Sequence, residues 1–235
     1  MKTFPTAEEQ YQEALREYQR EHYLKAIDGF QKVVYNFGGA ALVDSAQFYL
    51  AMAYYEQKDY FVAASEFERL VTTYPGSPFV DDARYMAGVC YYKSSPKNSG
   101  LDQEELTRAI GILEEFVIDN PESQLADDAR ATIKDADDRL AKKIYDNGRM
   151  YFRLGYYESA DIYFQRVIDD HTGSQWAARA LYYQGELRYR QKQYEEARSK
   201  FDNFLTVYPD HELAGKAKKM LVKTAGNIAD ASKKN

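Results

Sequence analysis

Residues 126–170 decide the fold of this chain, and they read ADDARATIKDADDRLAKKIYDNGRMYFRLGYYESADIYFQRVIDD. In the second half of this stretch a small residue, Gly148, stands before an aromatic pair and a turn glycine, and Tyr157, Ala160 and Phe164 follow. Residues three and four apart share one face of a helix, so the spacing on each side of the turn is helical. The stretch therefore predicts two helices that pack closely and are joined by a tight turn.

The same unit occurs five times. Four copies share the pattern Tyr-x-x-Ala-x-x-x-Phe, and a degenerate copy contains Ala109, so that the aligned alanines are 37, 46, 51 and 37 residues apart. Each copy carries a small residue on its first helix, where two helices can approach, and these residues are Ala14, Ala51, Gly88, Gly148 and Gly185. Prolines at 75, 121 and 209 come directly after three of the predicted second helices and are expected to end them.

These repeated residues resemble the tetratricopeptide (TPR) consensus. The resemblance implies an all-α fold, an α–α superhelix or TPR solenoid of five helix–turn–helix repeats. A step of 37 residues exceeds the TPR period of about 34. We interpret the additional residues as about one further turn on each first helix. Ser77, Ser123 and Ser174 are then the predicted N-caps, with Pro78 in the first turn.

The ends of the array and two departures from the repeat define the domain organisation. Thr6 and Glu9 have capping-box spacing, which predicts that the first helix begins near Pro5. Residues after 211 predict a C-terminal capping helix. Repeat three carries an insertion of nine residues, predicted to be a flexible loop, and repeat four has a charged first helix extended over about 123–153. We expect repeats one to three in 1–121, and repeats four and five with the capping helix in 122–235.

Composition and motifs argue against several functional classes. A net charge of −6 disfavours a general nucleic-acid binder, no apolar run could span a membrane, and the N-terminus lacks the apolar segment of a signal peptide. No nucleotide-binding, hydrolase or paired-cysteine motif occurs, and the three histidines lie in different repeats. The lone Cys90 is expected to be a buried, inert thiol. We expect no catalytic residue, no metal and no cofactor, and thus a protein that is not an enzyme.

A stripe at i, i+4 and i+7 on each first helix is the candidate binding feature. In repeats one to three it is aromatic and aliphatic, and it consists of Tyr11, Leu15, Tyr18, Phe48, Met52, Tyr55, Tyr85, Val89 and Tyr92. In repeats four and five its centre is charged, and it consists of Tyr145, Arg149, Phe152, Tyr182, Glu186 and Tyr189. Likeness to TPR proteins implies that this face lines a groove suited to a peptide with aromatic anchors. The alternative is that these side chains fill ordinary helix–helix core.

Beyond the general TPR pattern, the chain resembles the BamD family of outer-membrane lipoproteins from the β-barrel assembly machinery. The residues that carry the resemblance are YPGSPFVDDARY, the linker NPESQLADDA and the run DDRLAKKIYDNGRMYFRLGYYESADIYFQRVI. The family's lipidated N-terminal cysteine is absent from this sequence, so we expect the chain to begin after it. Other periplasmic TPR adaptors of the cell envelope, such as the Tol–Pal coordinator, share the linker and are the alternative.

The resemblance implies a scaffold at the periplasmic face of the outer membrane, held there by a lipid anchor, and we expect the solenoid to be monomeric. Its N-terminal repeats would receive the C-terminal targeting segments of unfolded outer-membrane proteins, which end in an aromatic residue. Its C-terminal repeats would dock on the periplasmic domains of BamA, alongside other subunits of the assembly machinery. The change of the stripe from apolar to charged agrees with this division of binding partners.

Overall fold

The computed structural model describes residues 6–98 and 100–232, and over these residues the chain is entirely helical. The helices are α1 (Ala7–Gln19), α2 (Tyr23–Asn36), α3 (Val43–Glu56), α4 (Tyr60–Thr73), α5 (Val80–Ser94), α6 (Glu104–Asp119), α7 (Ala126–Leu154), α8 (Tyr157–Asp170), α9 (Gln175–Arg190), α10 (Tyr194–Val207) and α11 (Ala214–Ser232). The first ten helices form five consecutive pairs, and α11 packs on α10 as the predicted capping helix. The predicted class, an all-α TPR solenoid, is confirmed.

The chain divides into two compact units, residues 1–136 and 137–235, and the boundary falls inside α7. In the first unit the core is built from the second-helix residues Phe30, Phe67 and Phe116 with small residues of the first helices. In the second unit Phe164 and Phe201 take the same place. The aromatic residue that recurs in the sequence therefore occupies the same core position in each unit.

Close approach of the paired helices depends on the small residue of the first helix. A Cβ atom built on Gly148 would lie 2.8 Å from Cε1 of Phe164, and one on Gly185 would lie 2.7 Å from Cε1 of Phe201. These separations are shorter than real side chains tolerate, so glycine is required there at the present helix spacing. The predicted role of these glycines is confirmed.

The turn within a repeat uses one residue in the left-handed region of backbone space. Glu21, Lys58 and Lys192 have φ values of 61°, 63° and 63°, and Gly155 occupies the corresponding place in repeat four with φ of 83°. Backbone N–H groups after the turn donate to carbonyl groups at the end of the first helix, for example Asp59 N to Tyr54 O at 3.0 Å. Only Gly155 shows by its residue type that the turn needs this conformation.

In repeat three the insertion replaces this turn and joins Ser94 to Glu104. The buried amide of Gln103 donates from Nε2 to the carbonyl oxygens of Pro96, Asn98 and Leu101 at 3.2, 3.1 and 3.4 Å. Because one side chain holds three carbonyl groups, the described part of the insertion is organised locally, whereas a flexible loop was predicted.

The additional residues of each repeat lie mainly in the linkers between repeats. Six residues separate α2 from α3, α4 from α5, and α6 from α7, and α3 and α5 are 14 and 15 residues long. The predicted extension of the first helices is therefore wrong for these repeats. Pro78 lies in a linker, since α5 begins at Val80.

The serines that were predicted as helix N-caps also act mainly in the linkers. Oγ of Ser77 accepts from Phe79 N at 3.3 Å, and Oγ of Ser123 accepts from Leu125 N at 3.2 Å, so both hydroxyl groups stabilise the linker ahead of the helix. Ser174 is the N-cap of α9 but makes no side-chain cap. At the chain's start, Thr6 and Glu9 form the predicted capping box, and α1 begins at Ala7; Pro5 lies outside the described residues.

The long helix α7 carries out the capping that Ser174 does not. Oδ1 of Asp138 accepts a hydrogen bond from Gln175 N, the first residue of α9, at 3.2 Å. Nδ1 of the buried His171 lies 2.6 Å from Oδ1 of Asp137. Two adjacent carboxylates of α7 thus hold both ends of the linker between α8 and α9.

Candidate functional site

The stripe on α1 lies at the edge of the first core cluster. Tyr11, Leu15 and Tyr18 are half-buried and pack against it. The ring of Tyr11 lies 5.8 Å from that of Phe30, and the ring of Tyr18 lies 5.6 Å from that of Tyr49. Each ring therefore packs on the core with one part and leaves another part accessible.

The stripe on α3 has the same half-buried character. Phe48 stacks on Phe79 with ring centroids 4.7 Å apart, Met52 packs against the neighbouring core, and Tyr55 meets Tyr60 edge-on at 5.4 Å. These contacts fix the positions of the rings before any ligand arrives, which lowers the entropy cost of binding.

The stripe on α5 is less uniform. The ring of Tyr85 lies 5.6 Å from that of Phe116, whereas Val89 is only 9% exposed and belongs to the core. The hydroxyl group of Tyr92 donates to Oδ2 of Asp135 at 2.5 Å. The structure therefore leaves two of the three predicted side chains of α5 accessible.

A cation lies among these tyrosines. The ammonium group of the exposed Lys93 is 4.5 Å from the ring centroid of Tyr55 and 5.5 Å from that of Tyr60, and it donates to the Tyr55 hydroxyl group. That hydrogen bond raises the pKa of Lys93. Burial raises the pKa of both Tyr11 and Tyr18 to about 12, so these phenols stay neutral in the physiological range. The aromatic stripe of the first unit therefore combines neutral rings with the positive charge of Lys93.

In the second unit most aromatic members of the stripe lie in the core. Tyr145, Phe152 and Tyr182 are only 6%, 4% and 5% exposed. Tyr189 is half-buried, and its hydroxyl group accepts a hydrogen bond from Nδ2 of Asn227 in α11 at 3.0 Å. The half-buried charged members, Arg149 and Glu186, are therefore better placed than these rings to meet a partner.

Arg149 and Glu186 belong to a small charged group above the aromatic core. The guanidinium carbon of Arg149 lies 3.8 Å from the ring centroid of Tyr183. The guanidinium carbon of Arg190 lies 4.7 Å from the ring centroid of Phe152, and its Nη2 is 3.9 Å from a carboxylate oxygen of Glu186. The predicted charged centre of the stripe exists, and aromatic rings support it.

Three residues of these surfaces were not predicted from the sequence. Tyr49 and Tyr183 each follow a predicted stripe residue directly, and each contacts at least four aromatic rings. The doublets Phe48–Tyr49 and Tyr182–Tyr183 were the available signal. Lys93 had no signal, because its position beside Tyr55 depends on the packing of α5 against α3 and α4.

Within the described ranges, no group of three or more histidine, cysteine or acidic side chains is arranged to hold a metal ion. Cys90 is buried, and burial raises the pKa of its thiol to about 12, so it is a poor nucleophile. None of the helices in the described residues combines the length and the hydropathy of a membrane-spanning segment.

Solved TPR proteins resemble the chain at low sequence identity. The TPR2AB domain of yeast Sti1 in its pHSP90 complex has 13% identity and a TM-score of 0.43, covering 93% of this chain and 98% of the Sti1 chain. A TPR protein of Thermus thermophilus has 14% identity and a TM-score of 0.39, covering 95% of this chain and 100% of the other. A TPR protein of Parabacteroides merdae has 14% identity and a TM-score of 0.41, covering 96% and 76%.

Sequence comparison gives a more specific result. No curated protein sequence matched the chain. A TPR family model matches residues 179–211. The model of the YfiO family, described as outer membrane lipoprotein, matches residues 5–189, which span nearly all of the first unit, just over half of the second, and nine of the ten paired helices. The chain therefore belongs to the YfiO (BamD) family of outer-membrane lipoproteins, whose TPR fold is typical of non-catalytic scaffolds.

Proposed function

We propose that this protein is a non-catalytic scaffold of the β-barrel assembly machinery at the periplasmic face of the outer membrane. Its N-terminal repeats bind the C-terminal targeting segments of outer-membrane proteins, and its C-terminal repeats dock on the periplasmic domains of BamA. Membership of the YfiO family supports the setting, and the TPR fold supports a role in protein–protein interaction. Attachment to the membrane is by a lipid anchor.

The observation that carries the peptide-binding proposal is the half-buried aromatic stripe on α1, α3 and α5 beside Lys93. A segment that ends in an aromatic residue carries both a ring and a terminal carboxylate. The ring packs against Tyr55 and Tyr60, and the carboxylate pairs with the Lys93 ammonium group, which lies within 5.5 Å of both ring centroids. Tyr11 and Tyr18 then receive the preceding residues. Aromatic contacts of this kind are enriched in binding hot spots.

A double substitution tests this proposal. We expect Tyr18→Ala with Tyr55→Ala to weaken binding of a C-terminal barrel-strand peptide by about tenfold or more, since two preformed aromatic contacts are lost. BamA binding should be unchanged. Tyr35→Ala is the matched control, because Tyr35 is also in the first unit but is 61% exposed and outside the stripe. Affinities are measured by calorimetry on variants with unchanged helical content.

The carboxylate contact is tested with the same peptide in amidated form. Lys93→Gln should weaken the free-acid peptide and leave the weaker amidated peptide unaffected. Equal affinity of the double mutant and the wild-type protein for the peptide contradicts the groove proposal. Loss of BamA binding in the double mutant contradicts the division between the two sets of repeats.

A further inference from the structure

We infer that the face formed by the C-terminal part of α7 and by α9 is a carboxylate-binding surface, which docks an acidic segment of a protein partner through Arg149. This inference rests on the proposed function, in which the C-terminal repeats bind a partner protein. It adds the chemistry of the contact. The partner presents aspartate or glutamate side chains, and Arg149 is their main binding site.

Arg149 is unusual because its half-buried guanidinium group contacts aromatic rings but pairs with no carboxylate of the described residues. The guanidinium carbon lies 3.8 Å from the ring centroid of Tyr183 and 6.0 Å from that of Phe152. Among the described residues, no acidic side chain forms an ion pair with it. A partly buried positive charge is costly unless it is paired, and a ring face compensates only part of that cost.

Other partly buried arginines of the chain already have a carboxylate. Arg69 and Arg84 line a cleft of about 570 Å³ between α4, α5 and α6, and they pair with Glu66 and Asp119 at 3.3 and 2.5 Å. In the second unit Arg188 pairs with Asp161 at 2.5 Å, and Arg179 pairs with Glu212 at 2.6 Å. Arg149 therefore departs from the rule that these arginines follow.

The stacking geometry leaves Arg149 ready to bind. A ring beneath the plane of a guanidinium group leaves the N–H groups at its edge free, and these groups match the two oxygens of a carboxylate. Tyr183 is itself fixed, since it contacts Phe164 at 5.9 Å and Phe152 at 5.5 Å between ring centroids. The N–H groups of the Arg149 guanidinium are thus held in place before the partner arrives.

The surrounding charges favour an acidic partner over a basic one. Arg153 is exposed one helical turn after Arg149 and has no ion pair with any residue that the structure describes. Arg190 is also exposed, and its ion pair with Glu186 is long, at 3.9 Å. Three guanidinium groups therefore accompany two carboxylates, Glu186 and Asp146, and Asp146 already pairs with Lys142 at 2.5 Å. The whole chain, in contrast, carries a net charge of −6. This local excess of positive charge provides the electrostatic complementarity.

The test compares Arg149→Gln, Arg149→Lys and a control, Arg166→Gln. Arg166 is an exposed arginine of α8 that pairs with Asp170 and is not part of the surface. The probes are the periplasmic region of BamA and poly-L-glutamate, each measured at low and at physiological salt. We expect Arg149→Gln to weaken binding of both probes by about tenfold or more and to reduce the salt dependence. Arg149→Lys should give an intermediate loss, because it keeps the charge but not the planar fork.

The possible results separate the inference from the proposed function. If the wild-type protein binds BamA and Arg149→Gln binds it equally well, the inference is wrong and the proposed function stands. If the wild-type protein does not bind BamA but binds poly-L-glutamate through Arg149, the docking function is wrong and the carboxylate site stands. Failure to bind poly-L-glutamate overturns the site. Thermal melting gives a further criterion. Because Arg149 has no carboxylate partner within the described residues, Arg149→Gln should not lower Tm.

Discussion

Substitution of Gly148 by alanine tests the packing on which each repeat depends. The added Cβ atom would lie 2.8 Å from Cε1 and 2.9 Å from Cδ1 of Phe164, and 3.1 Å from Cβ of Tyr163. Phe164 is fully buried and stacks on Tyr183, so its ring has no free space to move into. The two helices must therefore separate, or the core of the second unit must rearrange.

The expected magnitude is the difference of two effects. Overpacking of this kind costs about 1–3 kcal/mol, whereas replacing a helical glycine by alanine contributes about 1 kcal/mol through helix propensity. We therefore expect Gly148→Ala to lower the free energy of unfolding by up to about 2 kcal/mol. Gly226→Ala is the control in the same unit. Gly226 lies in α11, and a Cβ added there would meet no neighbouring atom within 4 Å. Gly226→Ala should therefore raise the free energy of unfolding through helix propensity alone.

Urea unfolding followed by circular dichroism measures both variants against the wild-type protein. The m-value shows whether the transition keeps its cooperativity. Gly185→Ala, with a built Cβ 2.7 Å from the ring of Phe201, should match Gly148→Ala in sign. Stabilisation by Gly148→Ala of the size seen for Gly226→Ala would refute the argument that close helix approach requires glycine.

The remaining predictions concern the turns and the phenols. Lys58→Gly should raise the free energy of unfolding by about 1 kcal/mol, because glycine adopts a φ of 63° without the steric cost of a Cβ. Gly155→Ala should lower the free energy of unfolding by a similar amount for the same reason. Changes of the same sign for the two variants in urea unfolding would contradict this. Stability should fall as pH rises from about 10 to 12, because Tyr11, Tyr18 and Tyr182 keep their protons in the folded state up to about pH 12 but lose them near 10 when unfolded. Urea midpoints across this range, with tyrosinate absorbance, measure the effect, and a constant midpoint would exclude it.

The sequence was sufficient for features that depend on neighbours within one repeat. The aromatic and alanine pattern predicted the pairing of helices, and the small residues predicted their close contact, because both signals recur at fixed spacing. The capping box at Thr6 and the helix ends before Pro75, Pro121 and Pro209 are also local, and the structure has them.

Features that depend on distant residues could not be predicted in this way. Ser174 has the residue type of an N-cap, but Asp138 caps α9 from 37 residues earlier in the chain. A spacing of i, i+4 and i+7 identifies one helix face without showing its burial. Phe152 and Tyr18 therefore appear equivalent in the stripe, yet one lies in the core and the other is half-buried. The binding roles assigned to the stripe stay predictions.

The turn inside each repeat has a consequence for how this fold can diversify. Four repeats close it with a single left-handed residue, whereas repeat three accommodates a longer connection between Ser94 and Glu104 at the same point. The core aromatic positions on either side are unchanged, since Tyr85 and Phe116 still pack at 5.6 Å. New sequence can therefore be accepted at this point without a change in the helix pairing, provided that one side chain, as Gln103 does here, satisfies the added backbone. The turns are accordingly the places where recognition loops could be grafted onto the array.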